Sequence, residues 1–128
     1  MSRRQAVVTP TAPAAIGPYS QAITSGDWIF VSGQISLDPA TGGMANGGIQ
    51  AETHRVLQNL AAILEASGSS LDRVLKTTVF LIDLAEFSAM NDVYRDYFSD
   101  PAPARSTVQV AALPRGARIE IEAVATRK

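Results

Sequence analysis

Two periodicities alternate along the chain. Short runs with every second position apolar give way twice to stretches whose apolar residues recur at three and four. Residues 6–9 read as a first short strand, closed by the proline-bearing segment that runs through Pro13. Residues 21–35 hold two β-prone runs joined around Ser25, Gly26 and Asp27, a hairpin in which glycine supplies a positive φ. Residues 36–48 carry one proline and four glycines and read as a loop.

From Ile49 the period becomes helical. Val56, Leu57, Leu60, Ile63 and Leu64 share a face, and Gly68 supplies the stop. Residues 73–82 form a nearly continuous apolar run, expected of a central strand. A second helix is expected over residues 85–98, with Phe87, Met90, Tyr94, Tyr97 and Phe98 in one stripe, before Pro101 and Pro103 forbid continuation. Residues 106–113 and 118–126 are the last strands, parted by Pro114, Arg115 and Gly116. The order βββαβαββ predicts a single α+β domain over residues 1–128, a six-stranded mixed sheet with both helices on one face. The other face lacks a clean polar pattern. It is therefore expected to pack against further copies of the chain, with clefts between them.

Composition narrows the chemistry. The 128 residues are 46% hydrophobic and 18% charged, with a net charge of −1, which disfavours a dedicated nucleic-acid binder. With no cysteine, disulfides, thiolate nucleophiles and Cys-based zinc sites are excluded. The single histidine, His54, lies between Glu52 and Arg55 and reads as a helix-surface residue. It cannot build a multi-histidine metal site within one chain. No phosphate-binding loop, dinucleotide fingerprint or nucleophile elbow is present. No apolar run approaches the roughly 20 residues that span a membrane, and no signal-peptide core precedes the first strand. A cytoplasmic protein without metal or cofactor is the expectation.

Four charged residues are candidates for chemistry. Lys76 sits inside an apolar strand, where a desolvated lysine can form Schiff bases. With Val74 and Thr78 as its same-face neighbours and no charge nearby to tune it, a snorkelling lysine is the simpler reading. In "RIEIEAVAT", Ile119 and Ile121 point one way and Glu120 and Glu122 the other. Glu122, followed by Ala-Val-Ala, is expected to sit deeper than Glu120, where a carboxylate holds its proton more tightly unless a cation pairs with it. Arg105 stands at the entrance of an alternating run, behind Pro-Ala-Pro-Ala. It is either a solvated edge residue or a fixed cation for a carboxylate. Taken singly, the residues leave both readings open.

Taken together, "IGPYSQAI", "VSGQI", "NLAAILEASG", "VLKTTVFLIDL", "MNDVYRDYF" and "PARSTVQVAALPRGARIEIEAVA" closely resemble the RidA/YjgF family of enamine/imine deaminases, in order from about residue 14 to 126. The resemblance implies a chorismate-mutase-like fold and a homotrimer with inter-subunit sites. It implies hydrolysis of 2-aminoacrylate and 2-iminobutanoate to 2-oxo acids and ammonia, which protects pyridoxal-phosphate enzymes, with no cofactor. It also assigns roles. Arg105 would grip the substrate carboxylate and Glu122 would activate the water. Tyr19, Ser32, Gly33 and Asn91 would bind and enclose the substrate. The chain departs from the family at Thr107, where many members carry cysteine, and at Glu52, where glutamine is common and little effect is expected. Two other readings are a regulatory trimer that binds small carboxylates without turnover and a ribonuclease. For the latter the sequence offers no basic-aromatic stripe.

Overall fold

The structure, a computed structural model, describes residues 3–127. Its first three strands, β1 (Gln5–Val7), β2 (Ala22–Ser25) and β3 (Trp28–Gln34), form an antiparallel meander. Ser25 pairs with Trp28, which leaves a two-residue turn whose first position, Gly26, has φ 59°. A positive φ at that position is the reason glycine stands there.

Helix α1 (Ile49–Ala66) buries Val56, Leu57, Leu60, Ile63 and Leu64. Its end is closed by two backbone bonds, from Gly68 N–H to Glu65 O (3.0 Å) and from Ser69 N–H to Leu64 O (2.8 Å), with Gly68 at φ 81°. This is the Schellman pattern, and it satisfies carbonyls that the helix would otherwise leave open.

The second half comprises β4 (Val74–Leu81), α2 (Phe87–Tyr94), β5 (Ala104–Gln109) and β6 (Ile119–Thr126). The sheet order is β1-β2-β3-β6-β4-β5. Only β4 and β5 run parallel, joined by the crossover through α2 that a parallel pair needs. β6 returns across the sheet and inserts between β3 and β4, antiparallel to both. Its alternation sorts the two faces. Ile119, Ile121, Ala123 and Ala125 are buried towards the helices with Ile29, Val31, Val79 and Leu81. Two helices over one face of a six-stranded mixed sheet is the architecture the sequence predicts.

Several details differ. α2 is shorter than residues 85–98: a 3-10 turn, Leu84–Glu86, precedes it, and Asp83 Oδ1 accepts from Ala85 N–H (2.9 Å). After Tyr94 the chain tightens into three-residue turns, with Asp96 N–H on Val93 O and Tyr97 N–H on Tyr94 O. Tyr97 and Phe98 are thus packed from a turn, and the same spacing of apolar residues serves both geometries. Val74 and Lys76 do not share a face, because Val74 opposes Ala125 and Lys76 opposes Val124. The extra residue, Leu75, is a bulge that leaves Val74 buried and turns Lys76 to the open side. Glu52 is a third correction: it is 7% exposed and bonded to Ser36 and to the Arg118 backbone.

Among the described residues no helix covers the far side of the sheet. Trp28 and Phe30 are 50% and 48% exposed there, and Phe30 lies opposite Ile23 on β2 and Val124 on β6. No described helix is long and apolar enough to cross a membrane.

Replacing the fully buried Ile121 by alanine removes side-chain volume from the middle of the helix-side core. A loss of about 2–5 kcal/mol is expected. Urea unfolding beside the wild type measures it, and a loss near zero would show that this layer does not hold the fold.

Candidate functional site

The first cluster forms at the sheet edge. Arg105, on β5, lies beside Thr77 of β4, whose side chain is buried on the helix face. The guanidinium turns the same way and meets α2. Its Nη1 donates to Asn91 Oδ1 (2.8 Å), and its Cζ lies 4.7 Å from the Tyr94 ring centre and 5.4 Å from that of Phe87. Residues 87, 91 and 94 fall at i, i+4 and i+7, so one short helix supplies all three walls. Tyr94 is itself fixed, since its hydroxyl shares a 2.7 Å hydrogen bond with Thr77 Oγ1. Burial raises the pKa of this hydroxyl, while the Thr77 bond and the Arg105 charge oppose the rise.

Among the described residues, no carboxylate lies within ion-pair distance of Arg105. It is a half-buried cation held by an amide and two rings, facing a cleft of about 390 Å³ that also touches Phe98 and Pro103. Such a group can receive a carboxylate through two parallel hydrogen bonds. Thr107, two residues further on the same strand, has a buried hydroxyl with no hydrogen-bond partner among the described residues.

The second cluster forms where β3 meets β6. Val31 opposes Ala123 and Gln34 opposes Ile121, so β3 carries one residue more than β6 across this step. The bulge takes Ser32 and Gly33 out of the regular ladder. Gly33 then faces Glu120, and a Cβ placed there would collide with the Glu120 carboxyl group, 2.8 Å from its Cδ. Glycine is what lets the carboxylate lie against the bulge.

The opposite wall is the segment before β2. Gln21, buried, takes Thr9 N–H on its Oε1 (2.7 Å) and gives its amide hydrogens to the carbonyls of Thr9 and Pro13 (3.0 and 2.7 Å). Those bonds fix Pro13 and Ala14 beside Tyr19. Ser32 Oγ donates to Ser20 O (2.5 Å), and its own N–H bonds to Gln21 O (3.0 Å). Tyr19, Ser32, Gly33, Ile35, Leu37, Pro114 and Glu120 enclose a cleft of about 340 Å³.

The two carboxylates of β6 exchange places relative to expectation. Glu120, not Glu122, is the more buried, and it alone lines the cleft. Burial, with a smaller contribution from the Glu122 charge, raises the Glu120 pKa above the ordinary carboxylate value. Glu122 is exposed on the open face opposite Thr78. Alternation along a strand puts both on one face. It cannot tell which of them has a bulge and a glycine across from it.

Of the residues singled out from sequence, Arg105 and Asn91 come together in one cleft, and Tyr19, Ser32 and Gly33 in the other. The rings of Phe87 and Tyr94 were legible only as core stripe, although their spacing around Asn91 was the available signal. His54 bonds through Nδ1 to the Tyr97 hydroxyl (2.9 Å) on the exposed side of α1, away from both clefts. Among the described residues, no His, Cys, Asp and Glu cluster could hold a metal ion.

A family model described as Endoribonuclease L-PSP matches residues 9–127. A mouse protein named 2-iminobutanoate/2-iminopropanoate deaminase is 48% identical over 124 residues, which cover 97% of this chain and 92% of that protein. The crystal structure of RidA from a Psychrobacter species superposes with a TM-score of 0.93 at 45% identity, covering 96% of this chain and 99% of that one. E. coli TdcF with bound serine superposes with a TM-score of 0.91 at 40% identity, covering 97% of this chain and 99% of that one. The chain belongs to the RidA/YjgF family, the Endoribonuclease L-PSP family of that model.

The raised Glu120 midpoint has a consequence for stability. The folded state holds this proton to higher pH than the unfolded chain does, so the folded state binds more protons there. The Glu120 contribution to stability therefore falls as pH rises from the unfolded carboxylate value through the raised midpoint. Urea unfolding of wild type and Glu120→Gln across this window should show the downward limb in the wild type only. Parallel curves would mean that Glu120 titrates like a solvated carboxylate.

Proposed function

We propose that this chain is a hydrolytic deaminase of short 2-imino acids and their enamine tautomers, such as 2-iminobutanoate and 2-aminoacrylate. The single observation that carries the reading is Arg105, a caged cation beside a cleft with no carboxylate partner among the described residues. The mouse relative's name supports the substrate class, and the serine bound to TdcF supports a small ligand.

The two clefts cannot serve one small substrate within a single chain. Arg105 and Glu120 stand on strands two spacings apart, about 10 Å, and their β4 partners, Thr77 and Phe80, are three residues apart, about 10 Å more. Arg105 turns to the helix side and Glu120 to the open side. A 2-imino acid spans far less. The reading is therefore that copies associate through the open sheet face, Phe30 included, and that Arg105 of one copy meets Glu120 of the next. A homotrimer, as the family resemblance implies, is the proposed assembly.

In such a site Arg105 clamps the substrate carboxylate and fixes the C=N carbon. The protonated imine is already electrophilic. Glu120 takes a proton from water as its oxygen bonds to that carbon, which gives a carbinolamine. Glu120 gives that proton to nitrogen, the C–N bond breaks as the hydroxyl returns its proton to the freed carboxylate and the C=O bond forms, and ammonia and a 2-oxo acid leave. Ser32 and Tyr19 supply polar contacts, the Gly33 bulge gives the carboxylate room, and Asn91 holds Arg105. A midpoint raised by burial suits a base that must also return its proton. Water activation, assigned from resemblance to Glu122, moves to Glu120 in this reading. Removal of reactive imines released by pyridoxal-phosphate dehydratases would be the physiological role, in the cytoplasm.

The test is 2-oxobutanoate release from 2-iminobutanoate generated in situ by a threonine dehydratase, with semicarbazide competing for the imine. Wild type should outrun the trap and Arg105→Ala should not. Glu120→Gln should lose about 10²–10⁴ of the rate, and Glu122→Gln should keep the larger share; the reverse order would return the role to Glu122. His54→Ala and Lys76→Ala should keep turnover. A wild type no faster than the blank would redirect the reading to a carboxylate-binding regulator. RNA cleavage that survives Arg105→Ala would redirect it to the ribonuclease reading.

A further inference from the structure

Beyond the Gln34–Ile121 pair the β3–β6 register ends, and the chain on either side lines the Glu120 cleft. One carboxylate oxygen spans the gap. Glu52 Oε1, from α1, accepts the Ser36 hydroxyl (2.9 Å) on the β3 side and the Arg118 backbone N–H (3.1 Å) on the β6 side. Oε2 lies 3.8 Å from Arg118 Nε, and the same guanidinium reaches Glu86 Oε2 at 3.0 Å. One α1 turn pair further on, Asn59 Nδ2 donates to the carbonyls of Ile35 (3.2 Å) and Leu37 (2.9 Å), while its Oδ1 accepts from Arg55.

The bridge stands directly behind the cleft. Ser36 sits between Ile35 and Leu37, two lining residues, and Arg118 immediately precedes β6, two residues before Glu120. The Arg118 carbonyl accepts from Ile82 N–H (3.1 Å), so the start of β6 is held from β4 on one side and from Glu52 on the other. Ser36 is fully buried and Glu52 nearly so, which leaves the serine hydroxyl no water to turn to.

We propose that Glu52 is a positioning residue: its Oε1 sets the spacing between the wall of Ile35 and Leu37 and the strand that carries Glu120. The kinetic side of this inference rests on the imine-hydrolase reading; the geometric side does not. What matters is an acceptor oxygen at that point, so glutamine serves and alanine does not. Arg105, on the other cleft, is untouched, and carboxylate binding is unaffected.

The experiment compares Glu52→Ala, Glu52→Gln and Ser36→Ala with the wild type in two readouts. One is the Glu120 carboxyl midpoint, by NMR of 13C-labelled glutamate. The groups that face Glu120 are Glu122 on its own strand and Tyr19 across the cleft, and none of the variants alters either. The other readout is kcat and KM for imine hydrolysis. In Glu52→Ala the cleft opens to water, so the midpoint falls towards the ordinary carboxylate value, and kcat falls about tenfold or more with KM little changed. Glu52→Gln restores both, and Ser36→Ala, which removes one arm, moves both in the same direction by less.

A folded Glu52→Ala with wild-type midpoint and kcat overturns the inference. So does a Glu52→Gln as impaired as the alanine variant, or a loss confined to KM. Should Glu52→Ala not fold, Ser36→Ala decides by the same signs. Should the wild type hydrolyse no imine, the functional reading fails, and the midpoints alone decide this one.

Discussion

Strand β6 is paired along both edges, and that constraint organises the rest. Held between β3 and β4, it has no freedom to rotate, so its two-residue alternation assigns every side chain irrevocably to the helix face or the open face. Ile119, Ile121, Ala123 and Ala125 go to the core, where the small alanines let α1 approach the sheet. Glu120 and Glu122 must then go to the side that no helix covers. The chain thus carries two carboxylates on a half-apolar open face, beside Phe30 and Val124, and solvates one while tucking the other against a bulge.

Local irregularity creates the chemistry that the regular sheet lacks. A perfect β3–β6 ladder would leave no cleft beside Glu120. The extra residue at Ser32–Gly33 opens one, and glycine at the second position leaves the space a side chain would fill. At the other edge, β5 ends the sheet, so Arg105 has no neighbouring strand on one side and is instead packed by α2. At the bulge the backbone departs from pairing, at β5 pairing runs out on one side, and in each place a charged group occupies the open room. Gln21, Asn59 and Glu52 then perform the same service for three loops, supplying from side chains the hydrogen bonds that strands would have given.

Much of this was legible. The 3.6-residue period of α1 ends at Gly68, whose positive φ the structure confirms, and the alternation of β6 predicts its two faces residue by residue. Arg105 stood out because it opens an alternating run behind Pro-Ala-Pro-Ala and matches the family's pattern. What sequence could not resolve depended on partners distant along the chain. Nothing in residues 28–34 states that β6 will oppose them one residue short. Without that bulge there is no reason to prefer Glu120 over Glu122, and the apolar residues after Glu122 pointed the wrong way. Glu52 looked of little consequence because its partners, Ser36 and Arg118, lie 16 and 66 positions away. The expected α2 is longer than the observed one because tight turns and helix both place Tyr94 and Phe98 on the same side, where their rings pack 4.7 Å apart.

The demands of the proposed reaction explain why the cation, rather than the acid, is the more rigidly held of the two. A protonated imine needs no activated covalent nucleophile, only a water at the right face of one carbon and a place for a proton. That places the burden on orientation, and orientation is set by the carboxylate anchor. Arg105 is accordingly gripped by an amide and two rings, one of which is pinned by Thr77, so its remaining hydrogens keep a fixed direction. Glu120 has no such cage. It has burial and the neighbouring Glu122 charge, both of which favour its protonated form, and a glycine that leaves it room; none of these fixes its angle. A group that must accept a proton from water and give it back to an amine is served by that balance, since a carboxylate locked in an ion pair would hold its charge too well to do the second half of the work. The two groups face opposite sides of one sheet, so within a single copy the guanidinium cannot reach Glu120 and neutralise it, and in the proposed assembly the distance between them is set by how the copies dock.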